Sequence, residues 1–357
     1  MNSNLSHFAK KLPEEVEYAR LQDPSFGKKN GILHGLVELL GRYVACVFQD
    51  KIPTNHPCHY FHDPRFQRFN PSDAFAFQTH PRSKLRLESF RPLFAIVLIV
   101  RFIQIGSYLG LKAIQPRNGL LRLAMLDLAT IWTLVRRHDI KEFYYSASFQ
   151  PYVFILCELR SQGVIVKLTG IQHGAWEKRS LENATRDLPL DEYRLLHERF
   201  EGVFRNHFDR THQVIVSVQE PKGSINWRTR EEPHIAVGLQ YDNDQADFDI
   251  VKTCHQHCQS QGWDLVVYPH PKQDSKFIEN IESLAIVERS NRYSDSACFV
   301  TRYSTLGMEF SLVGGAAIFV DYGERIEFDT EGLDVRYIKP SELQQTVAEV
   351  AAGVVLQ

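Results

Sequence analysis

The chain has 357 residues, 43% of them hydrophobic and 24% charged, with a formal net charge of −2. That length supports two domains and a sizeable core, while the near-neutral balance excludes general nucleic-acid binding, which needs a basic excess. Six scattered cysteines, Cys46, Cys58, Cys157, Cys254, Cys258 and Cys298, show no framework spacing and fit a reduced, cytoplasmic protein. The first residues lack the apolar run of a signal peptide.

Taken in chain order, Pro13 followed by Glu14 and Glu15 predicts a helix start, with proline early and acids in the first turn. Residues 31–48 place Leu33, Leu36, Leu39 and Leu40 on one helical face. Residues 50–90, rich in Pro, His, Phe and Asp, read as an irregular loop region whose aromatics pack it onto something else. Residues 93–111 are almost wholly apolar, with Arg101 and Gln104 inside and basic residues on both flanks. A membrane span needs about 20 apolar residues, and a central arginine costs roughly 2.5–3.5 kcal/mol on insertion. The reading is therefore a buried helix of a Rossmann-like domain, with peripheral docking on the cytoplasmic face of the inner membrane as the alternative and a true span behind both.

A helix is expected over 119–137. An α/β rhythm follows: strand 142–146, helix 149–162, a cap at Gly163 and strand 164–169. That strand runs into Gly170-Ile171-Gln172-His173-Gly174. Residues 180–210 read as a charged helical connector, and a second unit opens with strand 213–218. Strand 235–239 leads into a polar turn at 240–244, helix 248–261 is capped by Gly262, and strand 265–268 ends in Pro269-His270-Pro271. A strand near 299, a Ser304-Thr305-Leu306-Gly307 turn, helix 307–313, strands 316–320 and 335–338 and a last helix over 341–352 complete the chain. The fold class expected is α/β, with two Rossmann-like doubly wound domains facing across a cleft: residues 1–205 on the acceptor side, 206–340 on the donor side, and a C-terminal helix in 341–357.

Two histidines stand at expected strand tips, where open parallel sheets bind ligands. Pro269 and Pro271 end their strand and hold His270, placed to donate to a phosphate oxygen and stabilise a leaving group. His173 is the candidate general base, since an imidazole titrates near working pH. Ser304 and Thr305, with the amides of the helix behind them, suit the same phosphate, although a plain helix cap explains them as well. Glu309, expected in the first turn of that helix, and Gln240 in the polar turn are candidates for ribose or base; Arg302 and Tyr303 are candidates for phosphate or base. Cys254-His255-Gln256-His257-Cys258 is metal-like in composition, but no second ligand pair lies at zinc spacing, and no metal is expected. Walker, Gly-x-Ser-x-Gly and Gly-x-Gly-x-x-Gly patterns are missing, which weakens nucleotide-triphosphate, hydrolase and dinucleotide readings.

Gln172-His173-Gly174, Tyr268-Pro269-His270-Pro271 and Tyr303-Ser304-Thr305-Leu306-Gly307-Met308-Glu309 together resemble bacterial surface-polysaccharide transferases of GT-B architecture, over roughly residues 140–325. The His-Pro and Ser-Ser/Thr pair is similar to sialyltransferases and Kdo transferases that use CMP-sugars. The Gln-His-Gly and His-Pro pair is also similar to teichoic-acid polyol-phosphate transferases that use CDP-polyols. The resemblance implies a cytidine nucleotide held by His270, Ser304 and Thr305, a glycan or glycolipid acceptor in the N-terminal domain, and transfer without a metal. The acidic motif that supplies the base in several sialyltransferases is missing, which leaves His173 as base, with Glu177 in reserve. A non-catalytic nucleotide-binding scaffold in polysaccharide assembly and an epimerase of the same architecture are the other readings.

Overall fold

A computed structural model describes residues 3–355 except 23–31, 50–51, 63–66, 68, 80–88, 111, 113–114, 116–117, 147–149, 173–175, 219–227, 230–232, 271–272, 290–293, 313, 324–326, 329 and 331–332. Its helices are α1 (Ser3–Gln22), α2 (Ile32–Val47), α3 (Pro92–Leu109), α4 (Gly119–His138), α5 (Pro151–Ser161), α6 (Lys178–Glu182), α7 (Phe200–Phe208), α8 (Asp244–Gln261), α9 (Ser275–Glu282), α10 (Thr305–Leu312) and α11 (Leu343–Val355). The chain divides into two compact units, residues 1–173 with 180–222, and residues 174–179 with 223–357.

The first unit is built on a parallel sheet of β1 (Cys58–Phe61), β2 (Phe75–Gln78), β3 (Glu142–Tyr145), β4 (Lys167–Ile171), β5 (Glu192–Leu195) and β6 (Ile215–Val218), in the order β2-β1-β3-β4-β5-β6. The reversal between β1 and β3 is the doubly wound pattern of flavodoxin-like sheets. Strands covered on both faces lose the polar alternation of a half-exposed sheet. β1 accordingly reads Cys-His-Tyr-Phe with all four residues buried.

The second unit carries β8 (His234–Gly238), β9 (Asp264–Tyr268), β10 (Ile286–Val287), β12 (Phe299–Thr301), β13 (Ala317–Val320) and β14 (Val335–Ile338), all parallel, in the order β10-β9-β8-β12-β13-β14. Read as sequence ranks this is the 3-2-1-4-5-6 order of a dinucleotide-type Rossmann sheet. A two-stranded pair, β7 (Arg228–Thr229) with β11 (Ser294–Asp295), lies outside it. One face of the sheet packs Ile235, Val237, Val267, Val300 and Ile318 with Val251 of α8 and Val347 of α11. The other packs Ala236, Val266, Tyr268 and Phe299 with Phe310 of α10. Phe299 and Phe319 are fully buried, each contributing roughly 2–3 kcal/mol of hydrophobic stabilisation. The expected pair of Rossmann-like α/β domains is thus present.

Several local expectations change. Residues 50–90 are not all loop, because β1 and β2 form one side of the first sheet, and four-residue strands are too short to show a period. The helix expected to begin at Pro13 begins at Ser3. A buried stripe of Leu5, Phe8, Ala9, Leu12, Val16 and Ala19 carries it through the proline, so packing overrides the local signal. Residues 180–210 contain strand β5, whose Tyr193 stacks on Phe204 of α7 with ring centroids 4.3 Å apart. Strand β6 pairs with β5 and completes the first sheet; it does not open the second.

The apolar helix α3 also departs from expectation. Phe94, Ala95, Leu98, Ile105 and Leu109 are buried, but Leu93, Ile96, Ile99, Val100 and Ile103 are 47–63% exposed. It is not a buried core helix. The buried helix is its neighbour α4, which sequesters Asp127, Thr130 and Thr133 together with its apolar residues. Both threonine hydroxyls donate back to main-chain carbonyls four residues earlier, at 2.7–2.8 Å, which satisfies them inside the core.

Candidate functional site in the second unit

Strands β9, β8 and β12 are neighbours, and the strand order reverses between β8 and β12, so their carboxyl ends surround the switch point where ligands bind in such sheets. Thr301, the last residue of β12, donates its hydroxyl to the carbonyl of Gly238 at 2.8 Å and joins the two central tips. A side chain at Gly238 would meet the Phe299 ring at 2.9 Å, so this tip needs a glycine to lie flat on the neighbouring strand.

His270 stands two residues beyond β9 and is half-buried. Its ring lies 4.6 Å from that of Tyr241, three residues beyond β8, with the planes inclined by 32°. Tyr241 is 44% exposed, so this pair offers an open aromatic face beside the sheet. The sequence marks the turn that holds Tyr241 but not this residue, whose signal is its position just past an apolar strand.

Beyond β12, Ser304 caps α10. Its hydroxyl accepts from the amide of Leu306 at 3.2 Å, and its carbonyl accepts from Gly307 at 3.1 Å. Thr305 begins the helix. A Cβ at Gly307 would stand 2.9 Å from the Phe319 ring and 3.2 Å from Thr301, so glycine lets the first turn settle onto β12 and β13. Glu309 is the fifth residue of α10 and belongs to its second turn, not its first, because the helix starts two residues earlier than expected.

Arg302 is turned inward. It is 3% exposed, donates from Nε to Asp247 at 2.9 Å and from a terminal nitrogen to Asp242 at 2.6 Å. The expectation that it reaches a ligand is corrected: both forks of its guanidinium hold protein carboxylates. Asp247 also accepts from the backbone amide of Gln240 at 2.7 Å, so one buried ion pair ties the β8 turn, the start of α8 and the β12 tip. Burial lifts the Asp247 carboxyl to about 7, against the pull of Arg302 and that amide. At Asp242 burial pushes the same way, but hydrogen bonds from Tyr303 and Arg302 outweigh it and hold the carboxyl below its usual range. Gln240 is 6% exposed, while Tyr303 and Ser304 are half-buried. Asn243 caps α8 by accepting from Ala246, so the polar turn runs straight into an acidic first turn of that helix, which starts at Asp244 and not at residue 248 as expected.

Among the other expected site residues, His173 and Pro271 lie outside the described residues. Glu177 is exposed, belongs with the second unit and pairs with Phe328 through an antiparallel bridge. Gln172 is buried, and its side-chain oxygen accepts from Leu196 at 3.0 Å, locking the β4 tip to the β5 tip. Cys254 and Cys258 face the apolar core. Burial pushes both thiols up, Cys258 to about 11, so neither is presented as a thiolate ligand.

The first unit holds polar groups that the sequence does not reveal. His62 follows β1 and Thr79 follows β2, and the two are hydrogen-bonded. Asp127 lies 3.3 Å from the other ring nitrogen of His62 and accepts from the Tyr60 hydroxyl at 2.8 Å. A hydroxyl, an imidazole and a carboxylate in line imitate a nucleophilic triad, but the Arg42 guanidinium also lies 3.0 Å from His62 Nε2, the nitrogen that faces Asp127, so the imidazole belongs to a buried ion-pair network. Burial, and then Arg42, lower the His62 pKa against the pull of Asp127.

No protein-family model and no curated protein matches the chain. Solved structures similar to it include the glycotransferase of kitacinnamycin, at 13% identity over 66% of this chain and 73% of that one, TM-score 0.42. The UDP-GlcNAc 2-epimerase of Methanocaldococcus jannaschii is similar at 10% identity over 88% and 89%, TM-score 0.41. The ADP-heptose lps heptosyltransferase II of E. coli follows at 10% over 90% and 95%, TM-score 0.37. At such scores none of them carries an argument about chemistry, and the residues must.

Proposed function

We propose that this chain is a GT-B-type glycosyltransferase that moves a Kdo- or sialic-acid-like sugar from a CMP-activated donor to a capsule, lipopolysaccharide or related surface glycan. The observation that carries this reading is the gathering of His270, Tyr241 and the capped start of α10 at three adjacent strand tips around the switch point of a Rossmann sheet. The cytosine ring stacks on the Tyr241–His270 face. The phosphate receives hydrogen bonds from His270 and from the Ser304–Thr305 turn, with the positive end of the α10 dipole behind it. Glu309, Gln240 and Tyr303 serve the ribose and base, with Pro271 holding His270 in place.

In the transfer step the acceptor hydroxyl oxygen forms a bond to the anomeric carbon while the bond from that carbon to the phosphate oxygen breaks. The electron pair stays on the departing CMP, whose developing charge His270 stabilises. His173, with Glu177 in reserve, takes the proton of the acceptor hydroxyl. As the family resemblance implies, the step uses no metal.

Thermal unfolding with CMP, CDP, UDP, GDP and ADP tests the reading. A nucleotide at a hundredfold excess over its dissociation constant stabilises the fold by about 2.7 kcal/mol. Stabilisation by CMP that is lost in His270→Ala is the expected outcome, and turnover of the variant should fall about 10²–10³-fold. A preference for UDP or GDP would overturn the cytidine assignment; indifference to every nucleotide would overturn the nucleotide site itself, and nucleotide binding without turnover would overturn the enzyme reading in favour of a nucleotide-binding scaffold.

A further inference from the structure

Helices α2 and α3 leave an apolar surface uncovered. Among the described residues sixteen large hydrophobic side chains are exposed, and nine of them belong to this corner: Leu36, Val37 and Leu40 on α2, then Phe90, Leu93, Ile96, Ile99, Val100 and Ile103 at and along α3. The positions on α3 fall three and four apart and form one stripe, while Phe94, Leu98, Ile105 and Leu109 bury the opposite side in the protein. Helix α2 is fixed to α3 by the Tyr43 hydroxyl donating to the Ala95 carbonyl at 3.3 Å and by Phe48 packing on Phe90 with ring centroids 5.2 Å apart. Contiguous exposed apolar surface on this scale marks a contact surface.

Charge says what it meets. From residue 89 to residue 126 the chain has no acidic residue and five basic ones, Arg91, Arg101, Lys112, Arg117 and Arg122. The one carboxylate on the outer part of α2, Glu38, is neutralised by Arg42 at 2.8 Å. At the N-terminal end of α3 a cavity of about 310 Å³ is lined by Phe90, Arg91, Leu93, Arg137 and His138 among others. Arg91 Nε is buried there with no hydrogen-bond partner among the described residues. Two guanidiniums beside an apolar stripe match a phosphate above acyl chains.

We infer that the outer face of α2 and α3 seats the chain on an anionic lipid bilayer, with α3 lying in the plane of the interface and a lipid phosphate entering the Arg91–Arg137 cavity. The helix is long and apolar enough to cross a membrane, but one side of it is packed on its own domain, so it presents only its outer stripe and lies along the interface. This seating is independent of the glycosyl-transfer reading, since it is read from lipid binding alone.

Flotation of the full chain with vesicles tests it. The protein should float with vesicles of phosphatidylcholine mixed with phosphatidylglycerol, float less with phosphatidylcholine alone, and be released by added salt. Ile96→Glu with Ile103→Glu, both on exposed positions, should abolish flotation while leaving the circular dichroism melt unchanged. Arg91→Ala with Arg137→Ala should weaken binding to the anionic vesicles about thirtyfold, at roughly a kilocalorie per basic residue near the surface. No flotation of the unaltered chain with anionic vesicles overturns the inference, as does flotation that survives the glutamate pair. A dimer in solution that the glutamate pair dissociates, without vesicle binding, assigns the face to a second copy and overturns it too. Equal flotation with both vesicle types overturns the phosphate pocket.

Discussion

The carboxyl ends of the two sheets spend their polar residues differently. In the second unit the ion pair of Arg302 with Asp247 and Asp242 is drawn inside, and what stays half-exposed above it is His270, Tyr241, Tyr303 and Ser304. In the first unit His59, His62, Thr79, Ser146 and Gln172 are all engaged by protein partners and largely buried. The same architecture thus yields one rim whose candidate site residues keep part of their surface exposed and another whose visible polar groups are buried and hold strands and loops together. A histidine at a strand end therefore says little until its surroundings are known. His62 is consumed by Arg42 and Thr79, whereas His270 leans on an exposed tyrosine.

The contrast is broken most severely at Arg302. Arg302→Met removes the cation paired with Asp247 and leaves a buried carboxylate that also holds the Gln240 amide. Losing one partner of a buried pair costs about 3–5 kcal/mol. Chemical denaturation should show that loss, together with weakened nucleotide stabilisation, because the β8 turn and the β12 tip lose their common tie. A melt unchanged from the parent would mean that the pair does not organise the rim.

The first unit answers to pH instead. Asn70 uses its amide hydrogens on the carbonyls of Pro71 and Ala74, so its oxygen faces His59 Nδ1 at 3.2 Å and accepts from it. Nε2 of His59 then accepts from the Ser146 hydroxyl at 2.7 Å, which fixes a neutral ring. Burial lowers its pKa from 6.5 to about 4. The folded state resists a proton that the unfolded state takes up, so this contribution is complete above pH 6.5 and is lost as the pH falls toward about 4. The loss is on the order of 3 kcal/mol. Denaturation of the parent and of His59→Gln across that interval checks it, and the variant should lack this part of the slope.

Legibility followed the same division. In the second unit Val335–Ile338 and the cap at Gly262 are readable, because that helix carries a stop signal and each strand is an apolar run bounded by polar turns; the start of α8 is not, since it lies at Asp244 behind the Asn243 cap and not at the expected residue 248. In the first unit β1 and β2 are four residues long, β1 buried throughout and β2 largely half-buried, so neither period nor alternation marks them among the histidines and prolines around them. The exposure of α3 was equally hidden. Composition reports that Ile96, Ile99 and Ile103 are apolar, but not that α3 and α4 divide the roles of surface and core. Arg302 beside Tyr303 reads as a ligand group until its two carboxylates, 55 and 60 residues earlier, are brought to it by the fold.

The smallest effect separates the two roles that the sequence leaves open at Ser304. The hydroxyl accepts from Leu306 as a helix cap, and the proposed phosphate needs a donor at the same place. Ser304→Ala removes both and should cost about 1 kcal/mol of stability, the ordinary value of a lost cap. Ser304→Asp keeps an acceptor for the amide and suits the positive helix end, so its melt should match the parent. It cannot donate, however, and its charge repels a phosphate. Loss of CMP stabilisation in the aspartate variant, with the parent melt retained, assigns Ser304 to the ligand as well as to the helix. Retained stabilisation by CMP would reduce it to a cap, and the phosphate would then depend on His270 and the amides of α10.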